Sequence, residues 1–267
     1  MPLLQPELIA ELLLIGACTG FLAGLLGIGG GMLMVPFVTI ILHAKGYPPD
    51  YTVKTAVATS LATICFTSLS SVRAHHRRGA VLWPIVRLLA PGILLGSLVG
   101  AQIAVAMPGK VLSIFFAAFV GFSATQFFID RKPKPSRTLP GRAGTFGMGT
   151  VIGVLSALVG AGGAFISVPF MTWCNVRIHD AVGTSAALGF PIALAGTLGY
   201  VWAGRDLPPL LPGAFGYLYL PGLLVIAAAS MVMAPLGART AHRMDIRPLK
   251  KVFAMALYGV AAYFLTR

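Results

Sequence analysis

Long apolar stretches alternate with short polar ones along this chain, and their lengths do not all fit a membrane span. No charged residue occurs between Leu12 and Leu42. As one helix that run would extend about 46 Å, too long for a single perpendicular span and too short for two full spans and a turn. A break resolves the mismatch, and the glycines of Gly27 to Gly31 supply one. The stretch therefore predicts a hairpin of two shortened helices, and Ala143 to Val176 has the same property. Further apolar segments run over about 53–72, 80–106, 110–129, 180–203, 212–238 and 249–266. Between them Asp130 to Arg142 is basic and carries Pro133, Pro135 and Pro140. The expected architecture is all-α, with five helical elements in 1–129, a linker over 130–142 and five more in 143–267.

The two halves share sequence. Gly27 to Phe37 reads G-I-G-G-G-M-L-M-V-P-F, and Gly160 to Phe170 reads G-A-G-G-A-F-I-S-V-P-F. At the same offset of 133 residues, Gly16, Gly20 and Gly24 fall on Gly149, Gly153 and Ala157. Farther on, Ala56-Val57-Ala58-Thr59-Ser60 matches Ala181-Val182-Gly183-Thr184-Ser185 at an offset of 125, the difference being a shorter second connection. Internal symmetry with paired broken segments is the usual trace of a transporter built from repeats.

Composition places the chain in a membrane: 57% of residues are hydrophobic, 10% are charged and the mean hydropathy is +0.87, values outside the range of a soluble domain. The formal charge of +13 does not imply nucleic acid, because the basic residues gather in a few connections. Arg73-Ala74-His75-His76-Arg77-Arg78 is strongly basic, whereas its counterpart holds Arg205 and Asp206, which cancel. Met107 to Lys110 is nearly neutral, whereas Arg239 to Lys251 carries five Lys and Arg against Asp245. The bias inverts between halves. Under the positive-inside rule the 73–78 connection, the linker and the 239–251 connection are cytoplasmic, the halves run oppositely and both termini lie outside. Counting each hairpin as a single span gives four plus four and strands the 239–251 connection outside. Glu7 and Glu11, with no Lys or Arg near them, argue against a secretory signal. Cys18, Cys65 and Cys174 lie in apolar segments without metal or disulfide spacing.

Candidate chemistry is sparse. Each glycine break exposes backbone N–H groups where a short helix starts, and a helix N-terminus in low dielectric suits an oxyanion. Gly29, Gly30, Gly31, Gly162 and Gly163 are the expected donors, with Gly27, Pro36, Gly160 and Pro169 marking the breaks. The plainer reading of such glycines is close helix packing, which is preferred for Gly16, Gly20 and Gly24. Thr59, Ser60, Thr184 and Ser185 offer hydroxyls without a counter-charge, or bond back to their own helices. Thr67, Ser68, Ser70 and Ser71 continue a polar run, unmatched in the second half, that could line a cavity. Arg87 is expected to snorkel to the interface. Asp180 and His179 are candidates for proton coupling, with an N-cap the plainer role for Asp180. All five histidines, His43, His75, His76, His179 and His242, fall in loops or at segment ends, and no haem pair, catalytic triad, P-loop or metalloprotease motif occurs. An enzyme would have almost no acid, base or nucleophile to use; no cofactor and no metal site is expected.

The pattern G-x-x-x-G-x-x-G-x-G-G-G with V-P-F, its second copy with Ala157 and Ala164 in place of glycine, and the A-V-A-T-S and A-V-G-T-S pair resemble the sulfite exporter TauE/SafE family over nearly the whole chain. The resemblance implies a bacterial-type inner-membrane permease for a small anion such as sulfite or an organosulfonate, for example sulfoacetate. The expected partners are that anion and the lipid bilayer, with no nucleic acid. An inside-negative potential of 100 mV favours anion efflux by about 2.3 kcal/mol per charge, so export can run without a coupled ion. A metal-cation permease lacks buried ligands, and a docking subunit working through its basic loops is the reading from a different class.

Overall fold

The computed structural model describes residues 6–26, 31–129, 136–207, 213–241 and 246–266. The first hairpin is α1 (Pro6–Leu26) and α2 (Gly31–Ala44), followed by α3 (Pro49–His76), α4 (Trp83–Ala106) and α5 (Gly109–Ile129). After the linker come the second hairpin, α6 (Arg142–Val159) and α7 (Ala164–Trp173), then α8 (Ile178–Ala203), α9 (Leu220–Ala241) and α10 (Ile246–Leu265). Seven of these helices are long and apolar enough to cross a bilayer, and α2, α7 and part of α10 are shorter apolar helices. The chain is an all-α polytopic membrane protein. One expected element begins late: residues 214–219 form a two-stranded hairpin, β1 (Ala214–Phe215) and β2 (Leu218–Tyr219), in which Ala214 pairs with Tyr219. The chain turns at Gly216, so helix starts only at Leu220.

Sequence sets the hairpin break directly. Gly160 ends α6 in the left-handed region, φ 69°, with its N–H on the Ser156 carbonyl, and Gly163 starts α7 from φ 75°. Only glycine takes that conformation cheaply, and two such residues in four reverse the chain within a few ångströms. The counterpart Gly27, with Gly29 and Gly30, lies outside the described residues.

Small residues let the helices close on one another where lipid offers no hydrophobic drive. A Cβ on Gly16 would lie 2.8 Å from the Ile226 carbonyl oxygen, and one on Gly20 would lie 2.5 Å from Ser230 Cα, so α1 lies along α9. Likewise Gly149 meets the Leu89 carbonyl and Gly153 the Ile93 carbonyl, each at 2.5 Å for an added Cβ, so α6 lies along α4. Rising residue numbers match in both pairs, which makes each pair parallel. At the centre α3 and α8 cross antiparallel, Leu61 against Gly196 and Ser68 against Gly189. Outside them α5 and α10 pack antiparallel through Phe116 on Phe264 and Phe127 on Phe253. Exchanging the halves turns α1 on α9 into α6 on α4, α2 on α3 into α7 on α8, and α3 on α9 into α8 on α4, all of which occur.

Depth follows from these contacts. Gly183 abuts Ala80, and Ser136 and Arg137 donate their N–H groups to the Trp173 carbonyl. The 77–82 connection, the linker and both ends of the second hairpin therefore share one face, here the basic face, and that hairpin leaves by the face it entered. On the opposite face Tyr51 packs tilted against Tyr217, Tyr217 meets Tyr200 edge to face, and Gly109 touches Asp50. Burial holds the phenols of Tyr47 and Tyr217 above their usual pKa, so these two are neutral at physiological pH.

Candidate functional site

The start of α2 and the tip of the second hairpin meet on α3. Ser60 Oγ donates to the Gly160 carbonyl at 2.9 Å, Gly31 packs against that same carbonyl, and Gly160 itself sits on Val57. Backbone breaks at membrane depth are tolerated only against protein or a wet cavity, and this break lies against protein and beside a cavity. Beside it a cavity of about 50 Å³ runs between α1, α3, α7, α8 and α9. Gly162, Ala164 and Ser185 line its deep end, and Ala74 and His75 line it at the last turn of α3, on the basic face. Thr67, Ser68, Ser70 and Ser71 form its wall. The space suits a few waters or one small oxyanion.

At the deep end the start of α7 is unsatisfied. Among the described residues nothing accepts from the N–H groups of Gly162, Gly163, Ala164 or Phe165; the first helical bonds are Ile166 and Ser167 to the Gly163 carbonyl. A helix N-terminus leaves such donors and concentrates partial positive charge on them. Ser156 Oγ, buried beside Gly163, also has no hydrogen-bond partner among the described residues. Ser185 Oγ is 2.7 Å from Ser167 Oγ, a pair in which one lone pair or hydrogen remains for a ligand. Among the described residues, no Asp or Glu lines the cavity.

The four paired hydroxyls have different surroundings, which their shared motif did not reveal. Thr59 Oγ1 accepts from the Tyr219 N–H at 3.1 Å, and Thr184 Oγ1 accepts from the Leu82 N–H at 3.0 Å. Each threonine thus satisfies the backbone just before a helix of the opposite half, α9 for Thr59 and α4 for Thr184. Ser60 spends its hydrogen on the hairpin tip, and of the four only Ser185 lines the cavity. Thr184→Val is expected to lower stability by about 1 to 2 kcal/mol, as loss of a cap does. Thermal unfolding in detergent checks this, and an unchanged substrate preference in the folded variant checks that the hydroxyl is structural.

Other expectations shift as well. Asp180 is not an N-cap, because α8 starts from Arg177; it falls in the first turn, buried, and accepts from Arg177 Nε at 2.7 Å. His179 is exposed beside it, and neither lines the cavity. Pro36 and Pro169 lie inside α2 and α7. Gly16 and Gly20 pack helices as expected, whereas Gly24 lines the cavity. Trp83 Nε1 donates to His76 Nδ1. No group of three metal-ligating side chains occurs among the described residues. Sequence reasoning passed over Lys54, which is buried and donates from Nζ to the Val105 carbonyl at 2.8 Å, capping the end of α4. A lone lysine near the end of an apolar span was the available signal.

The model of the sulfite exporter TauE/SafE family matches residues 12–264. Among curated proteins, a probable membrane transporter protein of Haemophilus influenzae is 35% identical over 93% of this chain and 95% of its own length. The probable membrane transporter protein YdhB of Bacillus subtilis is 30% identical over 69% of this chain and 76% of its own. A third, from Methanocaldococcus jannaschii, is 26% identical over 97% and 95%. No solved structure matches the chain.

Proposed function

Because the chain belongs to the sulfite exporter TauE/SafE family of membrane transporters, we propose that it exports a small oxyanion, sulfite or an organosulfonate such as sulfoacetate, across the inner membrane by alternating access between its halves. The observation that carries this reading is the start of α7, where Gly162 and Ala164 line a cavity and, among the described residues, no acceptor meets the N–H groups of Gly162, Gly163 or Ala164 and no carboxylate lines the space. The anion sits there with Ser185 and Ser68 as hydroxyl partners, and Gly29 and Gly30 serve as the matching donors of the first hairpin. The basic face is cytoplasmic by the positive-inside rule, so the cavity admits its substrate from the cell interior. An inside-negative potential then drives the bound anion outward, by about 2.3 kcal/mol per charge at 100 mV. A metal cation would find only neutral hydroxyls and the positive end of a helix dipole, an arrangement that repels it.

Uptake of radiolabelled sulfite, sulfoacetate, sulfate and thiosulfate into proteoliposomes under an imposed potential tests the proposal. Saturable transport of one of these anions, accelerated when the potential draws anions across, is the expected result. Absence of transport for all four by folded protein would sink it and bring forward a docking subunit acting through the basic connections.

A further inference from the structure

Hydroxyls inside the helices of this chain commonly bond back to the preceding turn. Thr19, Thr63 and Thr150 each donate to the carbonyl four residues earlier, at 2.7, 2.9 and 3.1 Å. Ser156, in the last turn of α6, does not. Its carbonyl accepts from the Gly160 and Ala161 N–H groups, yet its Oγ has no hydrogen-bond partner among the described residues, and the residue is 2% exposed. An unpaired buried hydroxyl costs stability, so its presence calls for a physical reason. That Oγ lies against the start of α7, 3.0 Å from where a Cβ on Gly163 would stand.

The duplication identifies the position. The register that carries Gly16 and Gly20 onto Gly149 and Gly153 carries Ala23 onto Ser156, and Ala23 lines the cavity. Neighbouring helices follow the same exchange. Leu89 and Ile93 meet Gly149 and Gly153 as Ile226 and Ser230 meet Gly16 and Gly20, so one turn on, Ser97 of α4 takes the place of the cavity-lining Ala234 of α9. On α8, Ile192, Ala193 and Gly196 take the places of Thr67, Ser68 and Ser71. This second set is packed shut: Ile192 Cδ1 and Ser156 Oγ close on Gly163, Leu61 covers Gly196, and Ala193 is completely buried. The hydroxyls have changed helices, from α3 in the open set to α4 and α6 in the closed one. Ser97 donates its own to the Gly153 carbonyl at 3.4 Å, which leaves Ser156.

We propose that the closed set is the exit path to the opposite face and that Ser156 Oγ is the hydroxyl partner of the anion there, donating to substrate held at the start of α7 once the path opens. Withdrawal of Ile192 from Gly163 uncovers Ser156 beside the N–H groups that Ser185 and Ser68 share on the entry side. The anion thus keeps the α7 donors and exchanges one hydroxyl for another. This placement rests on the alternating-access reading but not on the identity of the anion.

Sidedness tests it, because a hydroxyl that serves only packing has none. The full chain is reconstituted in vesicles of either orientation. Initial rates of the radiolabelled anion it carries, among sulfite, sulfoacetate, sulfate and thiosulfate, give a KM for each face. Ser156→Ala removes one oxygen atom and should raise the KM at the opposite face about tenfold relative to that at the basic face, the loss expected of a hydrogen bond to a charged group. Ser68→Ala should move the ratio the other way. An unchanged ratio in folded Ser156→Ala overturns the proposal, whether the two values stay or rise together, since a hydroxyl holding a buried water acts on both faces alike. A second readout needs no transport. In a chain with Cys18, Cys65 and Cys174 replaced by alanine, Ser156→Cys should react with a membrane-impermeant maleimide from the opposite face and not from the basic face. Reaction from the basic face, or from neither, overturns the proposal. One-sided labelling in a chain that carries none of the four anions would keep Ser156 on the exit path and sink only the substrate reading.

Discussion

Gly163→Val is expected to reduce transport by at least about 100-fold while the rest of the helical bundle still assembles. Gly163 holds φ 75°, where a β-branched residue is strained by about 1 to 2 kcal/mol or more. Its added Cβ would stand 2.5 Å from Ile192 Cδ1 and 3.0 Å from Ser156 Oγ. Relief of those contacts swings the start of α7, and with it the N–H groups of Gly162, Gly163 and Ala164 that the proposed site depends on. A displacement of about 1 Å at a preorganised site costs on the order of 100-fold. Gly147→Val is the control, since Gly147 is an exposed helical residue of α6 with nothing within 4 Å of an added Cβ. Initial rates in proteoliposomes, at matched amounts of monodisperse protein, read the difference. Transport by Gly163→Val within tenfold of the control would remove the α7 start from the substrate site.

A second large effect comes from charge. Ser68→Asp should cut anion transport about 1,000-fold, and Ser68→Asn, nearly the same size, should cut it by about tenfold at most. Ser68 shares the cavity with Ser185 and Gly162. A carboxylate about 4 Å from a bound monoanion, at an effective dielectric of about 20, repels it by about 4 kcal/mol, and each 1.4 kcal/mol is a factor of ten. The sign of the result separates substrate classes, because a cation would gain from the same substitution. Rates measured for Asp and Asn side by side therefore decide between an anion and a cation path. Equal rates in the two variants would place the substrate elsewhere.

Both predictions use residues whose importance is unequally visible in sequence. The chain by itself determined that it lives in a membrane, because apolar runs of spanning length have no alternative stable environment. It also determined where the second hairpin breaks: a charge-free run too long for one span and too short for two must fold back, and Gly160 and Gly163 stand where it does, the first break lying outside the described residues. The duplication was legible because both copies retain the residues that only a tight reversal or a close helix contact requires, as Gly16, Gly20, Gly149 and Gly153 do. Five helices on either side of the linker follow from the same reading of segment lengths. The short hairpin at 214–219 was not legible, since Leu218 and Tyr219 are apolar and nothing in a hydropathy pattern distinguishes a buried turn from a helix start.

Only the tertiary structure decided what each hydroxyl does. Thr59 and Thr184 share a motif with Ser60 and Ser185, yet the threonines satisfy backbone of the opposite half, Ser60 holds a hairpin tip and Ser185 faces a cavity. Neighbouring positions on one helix point in different directions, and what lies there comes from segments up to 160 residues away. Ser156, without a hydrogen-bond partner among the described residues, the buried Lys54 of α3 that caps the end of α4, and the buried Tyr200 on the Ala157 carbonyl have the same origin. Local sequence fixes conformation through short-range sterics, so breaks and spans can be read from it. Burial, hydrogen-bond partners and the open side of a cavity are properties of packing, and equivalent residues acquire different ones when two like halves stand in unlike positions.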